Sequence, residues 1–296
     1  MPTGSRSDRA ISRSRPIWPS ADSCRASCTW RRSPDTGGIV DGIFRQESPG
    51  HRRNPRDRAG RRRGVPRGGA RVAVNGRSPG SVAGALASLG AGAAAVAAPG
   101  DLGTVEGCRR VVAGAVDALG GLDVLVNNAG VSNGGLRFEE TTEADWEAVV
   151  GIDLRAVFFC TRFAVPALRA AQGNVVNIAS VLGLGGRGIG VSLYCTAKGG
   201  VVNLTRDLAI ELAPEIRVNC ICPGTVDTEM LRATAARLSG GDPVAGFALM
   251  TRDRPVKRVA TPAEIAGPVL YLASGLAGFV TGSIHTVDGG VTAKVG

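Results

Sequence analysis

The chain is poor in the residues that announce a metal centre or a membrane anchor. It has two histidines, His51 and His285. Cys24 and Cys28 sit in an atypical front segment, while Cys108, Cys160, Cys195, Cys220 and Cys222 are scattered through predicted helices and strands. No second pair has the ligand spacing of a zinc site, so no metal ligand is assigned and reduced, mostly buried thiols are expected. There is no secretory hydrophobic region, and no apolar run reaches the roughly 18 residues of a membrane span. The expectation is a soluble, cytoplasmic protein without a membrane partner.

Lysine is missing from residues 1–68, which hold 16 arginines against 6 acidic residues, a net of +10. Residues 69–296 balance at 19 basic and 19 acidic. The sequence pI near 10.0 therefore describes the front segment and not the body of the chain. A basic balance ordinarily points to nucleic acid, but no binding motif accompanies these arginines, and a nucleic-acid partner is not expected. The segment is Ser-rich near its start, as transit peptides are, yet Asp8 and Asp22 interrupt it and no clean amphipathic face emerges. Residues 1–68 read as a disordered or out-of-frame Arg-rich stretch, and residues 69–296 as one α/β domain with ample length for a core.

What is present from residue 70 onward is a regular alternation. Arg71 to Asn75 reads as a strand, Ser78 to Leu89 as a helix, Ala93 to Ala98 as a strand, and about Thr104 to Leu119 as a helix. A strand over 122–127 leads into Asn127-Asn128-Ala129-Gly130, and Thr142-Glu143-Ala144-Asp145 opens a long helix in the manner of a capping box. Trp146, Val149, Val150, Leu154, Val157 and Phe158 supply the apolar stripe of that helix. Asn174 to Ile178 is the next strand, ending at Ala179-Ser180, and Val218 to Cys222 runs into Pro223-Gly224. Thr261-Pro262-Ala263-Glu264 caps a late helix, and Ser283 to Val287 is the last strand. Strands alternating with helices mean a doubly wound parallel sheet, whose ligands bind past the carboxyl ends of its strands.

The most informative spacing is Tyr194-Cys195-Thr196-Ala197-Lys198, 14 residues after Ser180. Positions i and i+4 share a helix face, so the Lys198 ammonium can stand beside the Tyr194 hydroxyl. A cation that stabilises the phenolate makes the phenol a usable acid or base near neutrality, which is carbonyl-reduction chemistry. Alone, a Tyr and a Lys four apart usually mean a half-buried aromatic and a solvated amine. The strand ends gathered around this pair reverse that weighting.

With NNAG at 127, NIASVLG at 177, YCTAK at 194, CPGTVDT at 222 and TGSIHTVDGG at 281 in this order, residues 69–296 resemble the short-chain dehydrogenase/reductase family. The look is that of its 3-oxoacyl-acyl-carrier-protein-reductase-like members. The resemblance implies a single Rossmann-like domain in which Tyr194 donates the proton, Lys198 lowers its pKa and holds the ribose, and Ser180 bonds the substrate oxygen. It places Asn127, Ala129 and Gly130 along the cofactor, Asp101-Leu102 at the adenine, and Pro223, Gly224, Val226 and Thr228 beside the nicotinamide. Taken singly, Asp101 reads as a helix cap and Pro223-Gly224 as a plain turn. Arg77 occupies the position that reads the adenosine ribose, and a guanidinium favours a 2′-phosphate, so NADP(H) is expected over NAD(H). The family's catalytic Asn is here Asp153, which when ionised accepts but cannot donate a hydrogen bond. The resemblance also implies a homotetramer packed through helices around 145–170 and 194–212.

The family's opening strand and glycine turn, TGxxxGIG, are absent. His51 to Gly60 stand there instead, and without the turn's backbone amides the pyrophosphate loses its seat. Read one nucleotide late, with free third bases, the codons from Pro49 can spell LVTGGTRGIGRAVA, in the register the family requires. Residues from about 45 to 68 are therefore expected to be the right gene in the wrong frame, the competing reading being a natural basic tail. Loss of a central strand would leave two internal edges unpaired, and Ile39 to Phe44 is the nearby apolar stretch able to substitute. The leading functional reading is an NADP(H)-dependent interconversion of a small-molecule ketone and secondary alcohol. Behind it stand a catalytically impaired nucleotide-binding regulator or frameshifted inactive product, and nucleic-acid binding by the basic tail.

Overall fold

The structure is a computed structural model that describes residues 42–46, 70–89, 94–132, 136–186, 188 and 190–294. The expectations for the rest of residues 1–68 lie outside the described residues. The elements run β1 (Gly42–Gln46), β2 (Ala70–Gly76), α1 (Pro79–Leu89), β3 (Ala95–Pro99), α2 (Val105–Leu119), β4 (Val124–Asn127) and α3 (Glu143–Val150). A π-helical turn (Gly151–Arg155) then leads into α4 (Ala156–Ala171), β5 (Asn174–Ile178), α5 (Ser192–Glu211) and β6 (Arg217–Pro223). Helices α6 (Glu229–Leu238), α7 (Pro243–Thr251) and α8 (Pro262–Ala273) precede β7 (Ile284–Val287). No helix among the described residues is long and apolar enough to cross a membrane.

The seven strands lie in the order β3-β2-β1-β4-β5-β6-β7. Alternating residues serve the two faces, as the period of two in a strand requires. Leu125, Val175 and Val218 point into a core with α2 and α4, through Cys108, Val112, Cys160 and Leu168. Val124, Val126, Val176 and Ile221 point the other way, onto Ile265, Val269 and Leu272 of α8. Both faces are covered, which is why the strands read as nearly continuous apolar runs. The caps fall where their residues suggested: Thr142 with Asp145 and Thr261 with Glu264 each form a reciprocal capping box.

Two sequence expectations need correction. The slot of the missing first strand, beside β2 and β4, is filled by β1, which overlaps the Ile39 to Phe44 stretch named as able to substitute, so the segment replacing the first strand is not irregular throughout. The strand runs antiparallel to both neighbours, with Gly42 opposite Val74 and Val126, and Phe44 opposite Val72 and Val124. Buried amides and carbonyls in mid-sheet cannot stay unpaired, so the nearby Gly-Ile-Phe-Arg-Gln stretch serves, although it enters in the reverse sense. Second, the long helix from Glu143 runs on unbroken to Ala171 but is not α-helical throughout. The π turn at Gly151–Arg155 rotates its face, burying Val149 and Val157 but leaving Trp146 at 44% and Phe158 at 46% exposure.

Candidate active site

The carboxyl ends of β4, β5 and β6 converge on one edge, and α5 crosses beneath it. Tyr194 and Lys198 lie in the first two turns of α5 and do share a face, the ammonium 5.6 Å from the centre of the phenol ring. Lys198 is buried and donates from Nζ to the carbonyl of Ile178, at the end of β5, at 3.1 Å. Two residues further on, Ser180 leaves β5 in an extended conformation and accepts a hydrogen bond from the Leu182 amide at 3.2 Å. Its hydroxyl is close enough to the Tyr194 phenol to favour the phenolate.

Tyr194 illustrates two opposed effects. Burial of the phenol pushes its pKa above the ordinary value, while Lys198 and the Ser180 hydroxyl pull it down and Asp153 adds to the rise. Lys198 acts in the direction the spacing implied, but the cost of placing a phenolate away from water is larger, so the net shift is upward rather than downward.

Asp153 sits in the π turn, fully buried, with Oδ1 accepting from the Val131 amide at 2.8 Å and Oδ2 left without a partner. A side chain on Gly130 would come within 3.1 Å of that Oδ1 and 3.4 Å of Lys198 Nζ. Gly130 thus keeps open the gap where ammonium and carboxyl face each other. Burial raises the Asp153 carboxyl to about 6, against the pull of Lys198 and the Val131 amide. Its folded value exceeds the unfolded one, so its contribution to stability is full below the unfolded pKa near 3.8 and is lost as pH rises through about 6. Asp153→Asn is therefore expected to gain on the order of 1–3 kcal/mol relative to the parent near pH 8 and little near pH 4. Urea unfolding at the two pH values measures it, and equal differences at both would refute the buried-carboxyl account.

The remaining candidates divide into those at the edge and those turned from it. Asn127 ends β4, but its side chain is committed inward, donating to Thr161 Oγ1 at 3.0 Å and Asn177 Oδ1 at 2.8 Å. Asn177 in turn donates to Thr205 at 2.9 Å, so this buried network ties β4 and β5 to α4 and α5. Asn127 still lines, with Ala129, Leu102, Asn75 and Ile152, a cavity of about 30 Å³. Asp101 does not cap α2: Thr104 does, accepting from Gly107, while Asp101 accepts from the Gly103 amide at 2.9 Å and stiffens the turn that carries Leu102. Arg77 is exposed just past β2 and makes no hydrogen bond or ion pair among the described residues. Gly224 packs so closely on Asp288 that a Cβ would lie 2.8 Å from its Cα. Val226 bridges Ala260, and Thr228 caps α6.

Three contributors escaped sequence reasoning. The Val131 amide and the Ile178 carbonyl act through backbone atoms, which no side-chain motif reveals. Arg155 bonds the Gly103 carbonyl at 2.7 Å and Glu147 at 2.8 Å, tying the Leu102 turn to the π turn that holds Asp153. A glycine four residues before an arginine, Gly151 and Arg155, was the available hint, since a Cβ on Gly151 would meet the guanidinium at 2.9 Å.

A nicotinamide nucleotide fits this edge in part. Gly130 keeps the β4 end of the edge free of a side chain, but β1 brings Gly42 to the edge where β2 and β4 bring their ends. No helix N-terminus among the described residues follows it there to seat a pyrophosphate.

A family model described as enoyl-(acyl carrier protein) reductase matches residues 63–292. The meso-2,3-butanediol dehydrogenase of Serratia marcescens is 40% identical over 186 residues, 61% of this chain and 68% of that protein. A protein of Xanthobacter autotrophicus described as inactive 2-(S)-hydroxypropyl-CoM dehydrogenase 2 is 38% identical over 235 residues, 78% of this chain and 99% of that protein. The crystal structure of levodione reductase superimposes with a TM-score of 0.71 at 30% identity, covering 75% of this chain and 88% of that one. Carried by strand ends that meet over one tyrosine and one lysine, and by a family match that spans most of its length, this chain belongs to the short-chain dehydrogenase/reductase family of oxidoreductases.

Proposed function

We propose that the chain is built as an NADP(H)-dependent oxidoreductase interconverting a ketone and a secondary alcohol, with Tyr194, Lys198, Ser180 and Asp153 as its catalytic groups. The observation that carries this is the meeting of a half-buried phenol with a buried ammonium and a buried hydroxyl at the mouth of the sheet. The nicotinamide supplies the hydride-transfer chemistry when bound. Ser180 orients and polarises the substrate oxygen, and Tyr194 gives that oxygen its proton in reduction or takes it in oxidation. Lys198, fixed on the Ile178 carbonyl, stabilises the phenolate left behind. Asp153 faces the ammonium across Gly130 and, once protonated, can return a proton toward it.

Ala129 and Gly130 would border the cofactor on the β4 side, with Asn127 holding that strand end in place. Pro223, Gly224, Val226 and Thr228 would lie along its nicotinamide half, and Asp101 and Leu102 at its adenine. Arg77, exposed and without a hydrogen bond or ion pair among the described residues, suits a 2′-phosphate. Arg77→Asp is expected to lower NADPH affinity by at least about tenfold while sparing NADH; unchanged preference would remove the basis for NADP(H). The exposed Trp146 and Phe158, beside an open groove of about 470 Å³ lined by Leu154, Phe159 and Leu204, suit a homo-oligomer closed through α4 and α5.

Oxidation of NADPH by the purified chain in the presence of 3-oxoacyl thioesters, diketones, steroids or sugars tests the activity. A nucleotide-binding regulator or inactive product is favoured by one observation, the reversed β1, and is the outcome if no ketone is reduced.

A further inference from the structure

Arg155 closes the π turn and folds back along its own helix. Its guanidinium crosses the bare backbone of Gly151, where a Cβ would come within 2.9 Å of it, and donates to Glu147 of α3 at 2.8 Å and to the Gly103 carbonyl at 2.7 Å. Nε is buried without a partner among the described residues, so the two terminal nitrogens make these bonds. Resting on the reading of Asp153 as a catalytic group, we propose that Arg155 is a positioning residue: it latches the π turn to the turn at 101–103 and so aims the Asp153 carboxyl at Lys198.

The anchor for this latch is stiff. Asp101 accepts from the Gly103 amide at 2.9 Å, and the Cys108 thiol donates to the Leu102 carbonyl at 3.3 Å. Gly107 packs so closely that a Cβ there would lie 1.8 Å from the Asp101 carbonyl oxygen. Ile152 adds an apolar contact, since a Cβ on Gly103 would meet its Cδ1 at 3.6 Å. On the other side of the π turn Leu154 packs against Gly200 of α5 and joins Val149, Leu193 and Ala197. Asp153 lies between these two attachments, and of its own oxygens only Oδ1 is held, by the Val131 amide. Its direction is therefore set by the backbone. A π turn holds one residue more than an α turn, and each α-helical residue advances about 100° round the axis. Rewound as plain α-helix, the segment would swing the carboxyl about that far from the gap at Gly130. Bonds from Arg155 to α3 before the turn and to Gly103 outside it oppose the rewinding.

Arg155 acts by position and not by charge. The titratable groups that face Asp153 are Lys198 and Tyr194 of α5, and burial, Lys198 and the Val131 amide account for where its carboxyl titrates. The guanidinium is spent on Glu147 and Gly103.

The test is a set of double-mutant cycles on the full chain, read by urea unfolding near pH 4 and near pH 8. Asp153→Asn should stabilise the parent near pH 8 and little near pH 4, the difference that marks a buried carboxyl. In an Arg155→Met background, which keeps the stem and removes the donors, the carboxyl gains water and that difference should fall by at least about half. Arg155→Lys, still able to reach one acceptor, should restore part of it, and Glu147→Gln, which leaves the Gly103 bond, should keep it. Gly151→Ala drives a methyl into the guanidinium and should act like Arg155→Met, although alanine for glycine favours a helix by itself; this variant decides the matter if the methionine variant does not fold. A difference undiminished in both backgrounds would leave Arg155 a brace of the helix and overturn the proposal. So would a difference that grows, the sign expected for loss of a nearby cation, one that falls equally in Glu147→Gln, or a parent with no difference to lose. These readings need neither nucleotide nor ketone, so they stand apart from the oxidoreductase reading, which fails if no ketone is reduced.

Discussion

Tyr194→Phe is expected to cut ketone turnover by about 10²–10⁴-fold, the span usual for loss of a positioned proton donor, while nucleotide affinity changes by less than about threefold. The ring that Lys198 approaches at 5.6 Å remains, so the cluster keeps its shape and loses only the hydroxyl. The clearest measurement compares kcat and nucleotide Kd in a chain whose residues 49–62 are rewritten as LVTGGTRGIGRAVA, so that weak nucleotide binding does not mask the chemistry. A second signature separates a proton donor from a packing residue. Because burial pushes the phenol upward against Lys198 and Ser180, activity in the reductive direction should persist toward alkaline pH, and the residual activity of the variant should lose that limb of the profile. Substantial residual kcat with an unchanged pH profile would remove Tyr194 from the mechanism.

The tyrosine was legible because helical period is a local property: residues four apart meet on any α-helix, whatever surrounds them. The Thr142 and Thr261 caps were legible for the same reason, since each box closes within one turn. The direction of the Tyr194 shift was not, because burial is a sum over chain segments that meet only in the fold. Asn127 shows the same limit. Its place after an apolar strand marked a ligand-facing position, yet its amide is spent on Thr161 and Asn177, 34 and 50 residues away. The π turn escaped because a constant period of 3.6 was carried through Gly151, where the helix takes one extra residue per turn. Buried Asp153 occupies that irregularity, a placement common for functional groups, and Gly130 is what allows its carboxyl and the Lys198 ammonium to face each other.

The antiparallel sense of β1 was illegible for a deeper reason. Nothing in Gly-Ile-Phe-Arg-Gln specifies an antiparallel central strand, and the segment is drawn in by the unpaired edges of β2 and β4. Register there rests on few apolar residues, the condition under which strand pairing is weakly specified. A sheet completed in this way keeps its hydrogen bonds and the ends of β4, β5 and β6, but at β1 a reversed strand delivers its start, not its end, to the cofactor side.

Rewriting residues 49–62 as LVTGGTRGIGRAVA is expected to tighten NADPH binding by at least about a hundredfold. Backbone amides at a helix N-terminus form charge-assisted bonds to a pyrophosphate worth roughly 1.5–3 kcal/mol each, and two of them suffice for that factor. The new Leu-Val-Thr strand offers β2 and β4 a parallel partner ending at the same edge as Asn127, so it should displace Gly42–Gln46 from the slot rather than add to the sheet. Binding of NADPH at a hundredfold excess over its Kd then stabilises the folded chain by about 2.7 kcal/mol, a rise readable in thermal unfolding. The unaltered chain should show no such rise at low micromolar NADPH. Strong protection of the unaltered chain would mean that some other group seats the pyrophosphate. A gene sequence whose late-frame codons cannot encode the glycine motif would mean that the Arg-rich stretch is native, and the reversed β1 would then be the working strand of this protein.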